Sequence, residues 1–330
     1  MTTLVTGGAG YIGSHMVLEL LDAGEKVAVL DNLTTGHRSA VPQGATFIYG
    51  DAGNVELVRN VIRKHGVDAI IHFAGSIVVP DSVADPLGYY QNNTVKSRAL
   101  IEAAVSAGVR QFIFSSTAAV YGMPETSPVS ETSPVMPISP YGWSKLMTEQ
   151  MLKDAANAHD FRFVALRYFN VAGADPMGRS GQSTPRATHL IKVACQTALG
   201  LRREVEVFGT DFPTRDGSGV RDFIQVSDLA RAHSAALAHL RNGGKSGIYN
   251  CGYGRGFSVL DVIHAVKKAS GKDFAVKLSG RRAGDPAEIV ADSTKLVAEL
   301  GWQPRFSGLD AIVEQALAWE AQIGEMKAAG

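Results

Sequence analysis

"TLVTGGAGYIGSH", residues 3–15, decides how this chain is read. A short β-branched run ends at Thr6, glycines follow at positions 7, 10 and 13, and an amphipathic stretch continues over 12–23. Gly7, Gly10 and Gly13 would permit a tight turn at a strand end and let backbone N–H groups approach a pyrophosphate at a helix N-terminus. A glycine pattern alone marks no more than a helix start. Here a carboxylate supports it: Asp31 closes the next apolar run, "KVAVLD" (26–31). At that position an acid can take both hydroxyls of a ribose and would repel a 2′-phosphate, while Asn32 offers no positive charge to offset it. NAD is therefore expected rather than NADP.

Further apolar runs follow at "TFIYG" (46–50), "AIIHFA" (69–74), "QFIFSS" (111–116) and "FRFVALR" (161–167), with helical patterns at 12–23, 55–65, 91–107 and 141–158 between them. Strand–helix alternation with near-continuous apolar strands predicts an α/β fold, a doubly wound (Rossmann) parallel sheet covered on both faces. After residue 170 the pattern changes. "NVAGADPMGRSGQSTP" (170–185) reads as loop. Then come a helix near 187–199, a strand at 204–209, a buried strand at "GIYNCG" (247–252) that would return to the main sheet, and helices near 258–270 and 308–325. The second half is expected to be a smaller, interwoven lobe.

Composition narrows the class. The 330 residues are 45% hydrophobic and 19% charged with zero formal net charge, which gives no footing for nucleic acid or an anionic membrane surface. Two cysteines, Cys195 and Cys251, form no disulfide framework, and "MTTLVTGG" lacks a basic segment before an apolar one. A cytoplasmic enzyme is expected. None of the nine histidines stands in a metal-ligand spacing, so no metal is expected. No nucleophile-elbow sequence is present for a Ser-His-Asp hydrolase.

"SPYGWSK" (139–145) holds the chemistry. Ser139 can cap a helix and Pro140 suits its first position, so Tyr141 and Lys145 would share one helical face. On a bare helix this would be packing beside a solvated charge. Alternatively, the ammonium lowers the phenol's pKa and makes it a base. Ser115, Ser116 and Thr117 end the fifth strand and would face the same cleft. Asp51, Phe73, Ala74, Gly75 and Asn92 lie at strand ends or helix starts along a bound dinucleotide's path. Taken singly, Asp51 is equally a turn residue and Asn92 a cap.

The stretches "VTGGAGYIGSH", "LDNL", "IHFAG", "SSTAAVYG", "SPYGWSKLMTEQ", "LRYFNVAGA", "DGSGVRDFIQVSDLA" and "RRAGDPAEIVAD" together resemble the extended short-chain dehydrogenase/reductase family, and within it the nucleotide-sugar epimerases, across nearly the whole chain. The resemblance implies reversible NAD-mediated oxidation and reduction at C4 of a UDP-sugar, interconverting the glucose and galactose forms in galactose metabolism. Tyr141 would be base and acid, Thr117 would bond the 4-oxygen, and Lys145 would tune the phenol and hold the nicotinamide ribose. Cofactor contacts would come from Gly7, Gly10, Tyr11, Ile12, Gly13, Asp31, Asn32, Asp51, Ala52, Phe73, Ala74, Gly75, Asn92, Lys145 and Phe169. Substrate contacts would come from Thr117, Asn170, His189, Leu190, Phe208, Arg221, Arg282 and Asp285. Residues 1–170 would form the NAD domain, joined by segments near 220–252, and 171–330 mainly the UDP-sugar lobe. The resemblance also implies a homodimer through helices 91–107 and 141–158, whose outer faces carry Ala99, Ala103, Val105 and Ala155, residues equally compatible with ordinary core packing.

The chain departs from the family at several points. His189 stands for an Asn common beside the diphosphate, Ile77 for a lysine near the cofactor and Phe223 for a tyrosine. Ile289 falls where pocket size is gated, which leaves N-acetylhexosamine, pentose or uronate sugars as an alternative. A 4,6-dehydratase is disfavoured, because Thr117 is followed by Ala118-Ala119 rather than Asp-Glu. A non-catalytic NAD-binding regulator would be expected to lack the tyrosine or the lysine.

Overall fold

The computed structural model describes residues 1–184, 188–282 and 284–328. The first half alternates β1 (Thr2–Thr6), α1 (Tyr11–Asp22), β2 (Lys26–Asp31), β3 (Thr46–Tyr49), α2 (Val55–His65), β4 (Val67–His72), the short α3 (Val79–Ala84) and α4 (Pro86–Tyr89), α5 (Lys96–Ser106), β5 (Gln111–Ser115), α6 (Pro140–Ala158) and β6 (Arg162–Tyr168). The second half adds β7 (Asn170–Ala172), α7 (Leu190–Ala198), β8 (Glu204–Phe208), β9 (Val220–Gln225), α8 (Val226–Arg241), β10 (Gly247–Cys251), β11 (Gly256–Ser258), α9 (Val259–Ser270), β12 (Ala275–Ser279), β13 (Glu288–Ile289), α10 (Thr294–Leu300) and α11 (Leu309–Ala328).

Seven strands form the main sheet in the order β3-β2-β1-β4-β5-β6-β10, all parallel. The order reverses at β1, and the carboxyl ends of β1 and β4 open the crevice where such sheets bind ligands. Both faces are covered, which is why the central strands read as nearly unbroken apolar runs. On one face α1 and α8 pack Met16, Val17, Leu229 and Leu237 over Val5 and Ile71. On the other, α2, α5 and α6 place Val58, Leu100 and Leu152 against Ile70 and Phe112.

A four-stranded sheet (β11-β9-β13, with β7 on β9) and the β12–β8 pair carry the second lobe. Its own core joins α7, α9 and α11 through Ile191, Val262 and Ile312. Within 220–252, α8 and β10 complete the main sheet and its cover, whereas β9 stays in the smaller sheet. Among the described residues no helix is long and apolar enough to cross a membrane.

Four expectations are corrected. Residues 170–172, read as loop, form β7, because β9 offers a parallel edge to pair with. The helix expected over 91–107 begins at Lys96, after a π-helical turn at Tyr90–Val95. The helix expected near 187–199 runs Leu190–Ala198; Ala187, like Pro185 of the preceding loop, lies outside the described residues. Ala103, expected on an outer face, is fully buried in the core beneath α5.

The turn after β1 is sterically tight. Gly7 has φ +73°, and a Cβ there would meet the Ala74 amide nitrogen at 2.6 Å. A Cβ on Gly13 would meet the Gly7 carbonyl oxygen at 2.1 Å. Gly13→Ala is therefore expected to push α1 off the turn and destabilise the protein by about 1–3 kcal/mol, read as a lower urea midpoint at unchanged slope. A parent-like midpoint would mean that the helix has room to move.

Candidate active site

The glycine turn opens onto the N-terminus of α1. Gly10 is the N-cap and supplies no side-chain cap, and no acid lies in the first turn. The first-turn amides, including those of Tyr11 and Ile12, thus have no intrahelical acceptor and face the crevice with the helix's partial positive charge. The Tyr11 side chain turns away, donating from its hydroxyl to the Gly173 carbonyl at 2.7 Å. Asp31, buried at the end of β2, accepts from the amides of Ala9 (2.9 Å) and Leu33 (2.8 Å), one on each carboxylate oxygen. A carboxylate oxygen accepts more than one bond, so both retain capacity for a ribose hydroxyl. Open amides for a pyrophosphate, bare glycines and an acid beyond them make a cradle that fits a dinucleotide.

The neighbouring strand ends continue it. Asn32 donates to Asp51 at 3.4 Å, and Asp51 pairs with Lys96 at 2.6 Å and accepts from the Gly53 amide. Burial would raise the Asp51 carboxyl, but Lys96 and that amide outweigh it and hold the group below its usual range. Ala52 is buried beside it. Phe73 packs on His233, their ring centres 4.8 Å apart. Asn92 donates to the Ser76 hydroxyl (2.9 Å), while the buried Asn93 accepts from the Ser76 amide and donates to Ser144 on α6. Ile77 is half exposed.

At the other side of the crevice the cap on α6 forms as its residues dictate: the Ser139 hydroxyl accepts from the Gly142 amide at 3.2 Å, with Pro140 in the first turn. Tyr141, Lys145 and Thr117 are all buried, at 7%, 3% and 8% exposure. Lys145 Nζ donates to the Ser115 carbonyl at 2.9 Å and sits 5.0 Å over the Phe114 ring. Thr117 caps the short turn at Ala118–Tyr121, accepting from the Ala119 amide, and its hydroxyl lies near enough to the Tyr141 phenol to lower its pKa. Gly75 completes the enclosure: a Cβ there would lie 3.8 Å from Lys145 Nζ.

Burial dominates the electrostatics of the Tyr141–Lys145 pair. Burial pushes the Tyr141 phenol up to about 12; the Thr117 hydrogen bond works against this, and Tyr89 adds to it. Burial also drives Lys145 down to about 8. The ammonium does not bring the phenol near neutrality by itself, because both groups are desolvated together. The lysine's charge acts instead on His72, which burial first and Lys145 second push down to about 3. That neutral ring bridges Thr6 (2.6 Å) and Ser97 (2.8 Å) behind the crevice.

The second lobe brings its polar residues to the facing side. Arg221 on β9 donates to the Val220 carbonyl, and its guanidinium lies 3.9 Å from Asp285; burial lowers its pKa while Asp285 opposes that. Arg282 stacks 3.5 Å over the Phe208 ring at the end of β8, covering one aromatic face. Asn170, exposed on β7, follows the buried Phe169. A shallow cleft joins Asn170, His189 and Leu190, with His189 bonded to the Gln182 amide. Phe223 is core. Ile289 is buried in a small apolar cluster that includes Ala118 and Phe169. Residues unremarked in the sequence also stand close to the reacting groups: Asn93, Tyr168 bonded to Ser115, and Glu149, one turn beyond Lys145. For Glu149 the i+4 spacing in "SKLMTEQ" was the available signal.

A doubly wound sheet, a glycine cradle with its acid, and a buried Tyr-x-x-x-Lys pair beside a strand-end hydroxyl define the class of NAD-dependent enzymes built on the short-chain dehydrogenase plan. The NAD dependent epimerase/dehydratase family model matches residues 3–252, and the chain belongs to that family. It is 55% identical over 97% of its length, and 92% of the relative's, to a UDP-glucose 4-epimerase of Azospirillum brasilense. The solved UDP-glucose 4-epimerase of Brucella ovis in complex with NAD matches with TM-score 0.94 at 41% identity, covering 96% of this chain and 97% of that one. The UDP-Glc/GlcNAc 4-epimerase of Campylobacter jejuni matches with TM-score 0.86 at 47% identity, covering 97% and 99%.

The lysine gives a signed test. Unfolded, it holds its proton to about 10.5; folded, it releases it from about 8. Between these values the unfolded chain binds more protons, so this group's contribution to stability rises with pH. Nucleotide-stripped Lys145→Met is expected to melt above the parent at pH 7, with the gap closing between pH 8 and 10.5. A gap independent of pH would mean that burial does not govern this lysine.

Proposed function

We propose that the protein interconverts UDP-glucose and UDP-galactose by oxidation and re-reduction at C4 of the sugar. The observation that carries this reading is the buried Thr117–Tyr141–Lys145 cluster between a dinucleotide cradle and an arginine-bearing lobe. The relatives' activity supports it.

The glycine turn and the open amides of Tyr11 and Ile12 hold the pyrophosphate, and Asp31 the adenosine ribose. Asn32, Asp51 and Ala52 border the adenine. Phe73, Ala74, Gly75, Asn92 and Phe169 line the path to the nicotinamide, whose ribose Lys145 holds. When bound, NAD would supply a reversible hydride acceptor and the positive charge of its nicotinamide. On the other lobe Arg221 and Arg282 neutralise the diphosphate, and Asp285 takes the uridine ribose. Asn170, His189 and Leu190 flank the nucleotide, and Phe208 offers its free face to uracil. Tyr141 accepts the proton of the 4-hydroxyl and later returns it, with Thr117 bonding the same oxygen. Removal of hydride from C4 and its return to the opposite face of the 4-keto sugar would be the chemistry that bound NAD supplies. Burial alone keeps the Tyr141 phenol protonated, so the positive charges of Lys145 and of bound NAD would have to lower its pKa for it to accept the 4-hydroxyl proton.

The protein acts as a homodimer in this reading. A groove between α5 and α6, lined by Ile101, Val105, Met151 and Ala155, continues into exposed Trp143 and Met147, and a second copy of these helices would close it into a four-helix bundle. Cys195 and Cys251 are buried free thiols, which suits a reducing, cytoplasmic compartment.

Purified protein given UDP-galactose without added NAD is expected to form UDP-glucose, followed by chromatography. Tyr141→Phe is expected to keep its fold and bound NAD but lose about 100-fold or more in kcat. Undiminished turnover by that variant would overturn the assignment of the base. Light scattering after gel filtration is expected to give twice the chain mass, and Val105→Glu to give the single mass; a monomeric parent would remove the dimer.

A further inference from the structure

Directly beneath the reacting groups lies a closed polar network. Glu149, fully buried on α6, holds Arg167 of β6 in a bidentate pair, at 2.9 Å from Nε and 2.6 Å from Nη2. The same carboxylate accepts from the Ser116 hydroxyl at 2.5 Å. The remaining guanidinium nitrogen Nη1 donates to the Tyr121 hydroxyl at 3.1 Å, and that hydroxyl donates to Asn250 of β10 at 2.6 Å. Arg167 also lies 5.0 Å over the Tyr121 ring. Asn250 is fixed in turn by the Val129 carbonyl and by Glu131 on its amide.

Two consecutive residues of β5's end are thereby clipped to two points on α6. Ser115 is held through its carbonyl by Lys145, and Ser116 through its hydroxyl by Glu149 one helical turn on. Tyr121 is tied down at the far end of the same segment. Thr117 stands between Ser116 and Tyr121, capping the 118–121 turn with its hydroxyl on the Ala119 amide, beside the Tyr141 phenol. Nothing in this network reaches the crevice.

We propose that Ser116, Glu149 and Arg167 are positioning residues for the reaction, holding segment 115–121 so that the Thr117 hydroxyl and the Ser115 carbonyl stay in register with Tyr141 and Lys145. The role rests on the reading of Thr117, Tyr141 and Lys145 as the reacting set. A charged pair is suited to it: the bidentate geometry has one orientation, and a buried carboxylate without its partner is too costly to swing aside. An apolar contact would fill the space without fixing the strand end's rotation about α6.

Because Glu149→Gln leaves Arg167 buried and unbalanced, the informative change is at Ser116, where the ion pair survives. NAD-loaded Ser116→Ala is expected to lower kcat for UDP-galactose by about tenfold with KM within about twofold of the parent. Ser116→Thr, which keeps the hydroxyl, is expected to restore kcat. Melting temperatures of all three proteins are measured in parallel. A lower melting temperature with parent kcat would make the network structural only and overturn the inference, as would a kcat loss that Ser116→Thr fails to recover. Tyr141→Phe separates the two levels. If it is fully active, the underlying reading fails; if it is inactive while Ser116→Ala turns over normally, only the positioning role fails.

Discussion

The carbonyl oxygen of Gly7 sets a distance on which much else depends. It accepts the Gly10 amide and stands where any side chain at Gly13 would have to go. Because neither glycine carries a Cβ, α1 lies flush against the turn, and its first amides come to the mouth of the sheet rather than a few ångströms back. The same turn carries Ala9, whose amide donates to Asp31 across from it at the end of β2. A dinucleotide cradle here is a property of backbone shape, with side chains excluded from it.

The opposite wall is built on the reverse principle. Thr117, Tyr141 and Lys145 are side chains taken out of water, and the ionisation of Tyr141 and Lys145 is set by burial more than by one another. Beneath them the Glu149–Arg167 pair is buried as well, yet satisfied on nearly every atom. One set is left chemically tense and the other is balanced, and the balanced set lies behind the tense one. Removing a charge from each would have different consequences: loss of chemistry in the first case, loss of shape in the second.

Much of this could be read from local sequence. The strands of the main sheet, the Ser139-Pro140 helix start and the glycine turn carry their own signals, since each depends on residues within a few positions. What stayed hidden depends on distant partners. The strand β9 runs straight into α8 with no glycine or proline between them; Gln225 ends one and caps the other by accepting from the Asp228 amide, a use of glutamine that no short pattern announces. Strands β7 and β13 are only three and two residues long and exist because β9 offers them an edge. The ammonium beside Tyr141 is visible in sequence, whereas the burial that raises the phenol's pKa is not. Residues such as Phe208 and Arg282 were legible as types, but their stacking on one another was not.

The last strand of the main sheet, β10, reaches its place beside β6 only after the whole of β7 to α8 has been laid down elsewhere. A ribosome delivers the chain from its first residue, so for the time needed to make that intervening stretch the nascent sheet ends in an open β6 edge. Arg167 lies on that edge, and its distal partner Asn250 has not yet been made. An unpaired parallel edge of apolar residues is the kind of surface that recruits other chains. Truncation before residue 247 should therefore be harmful out of proportion to the mass removed, and synthesis of this protein imposes an interval in which shielding by a chaperone is worth most.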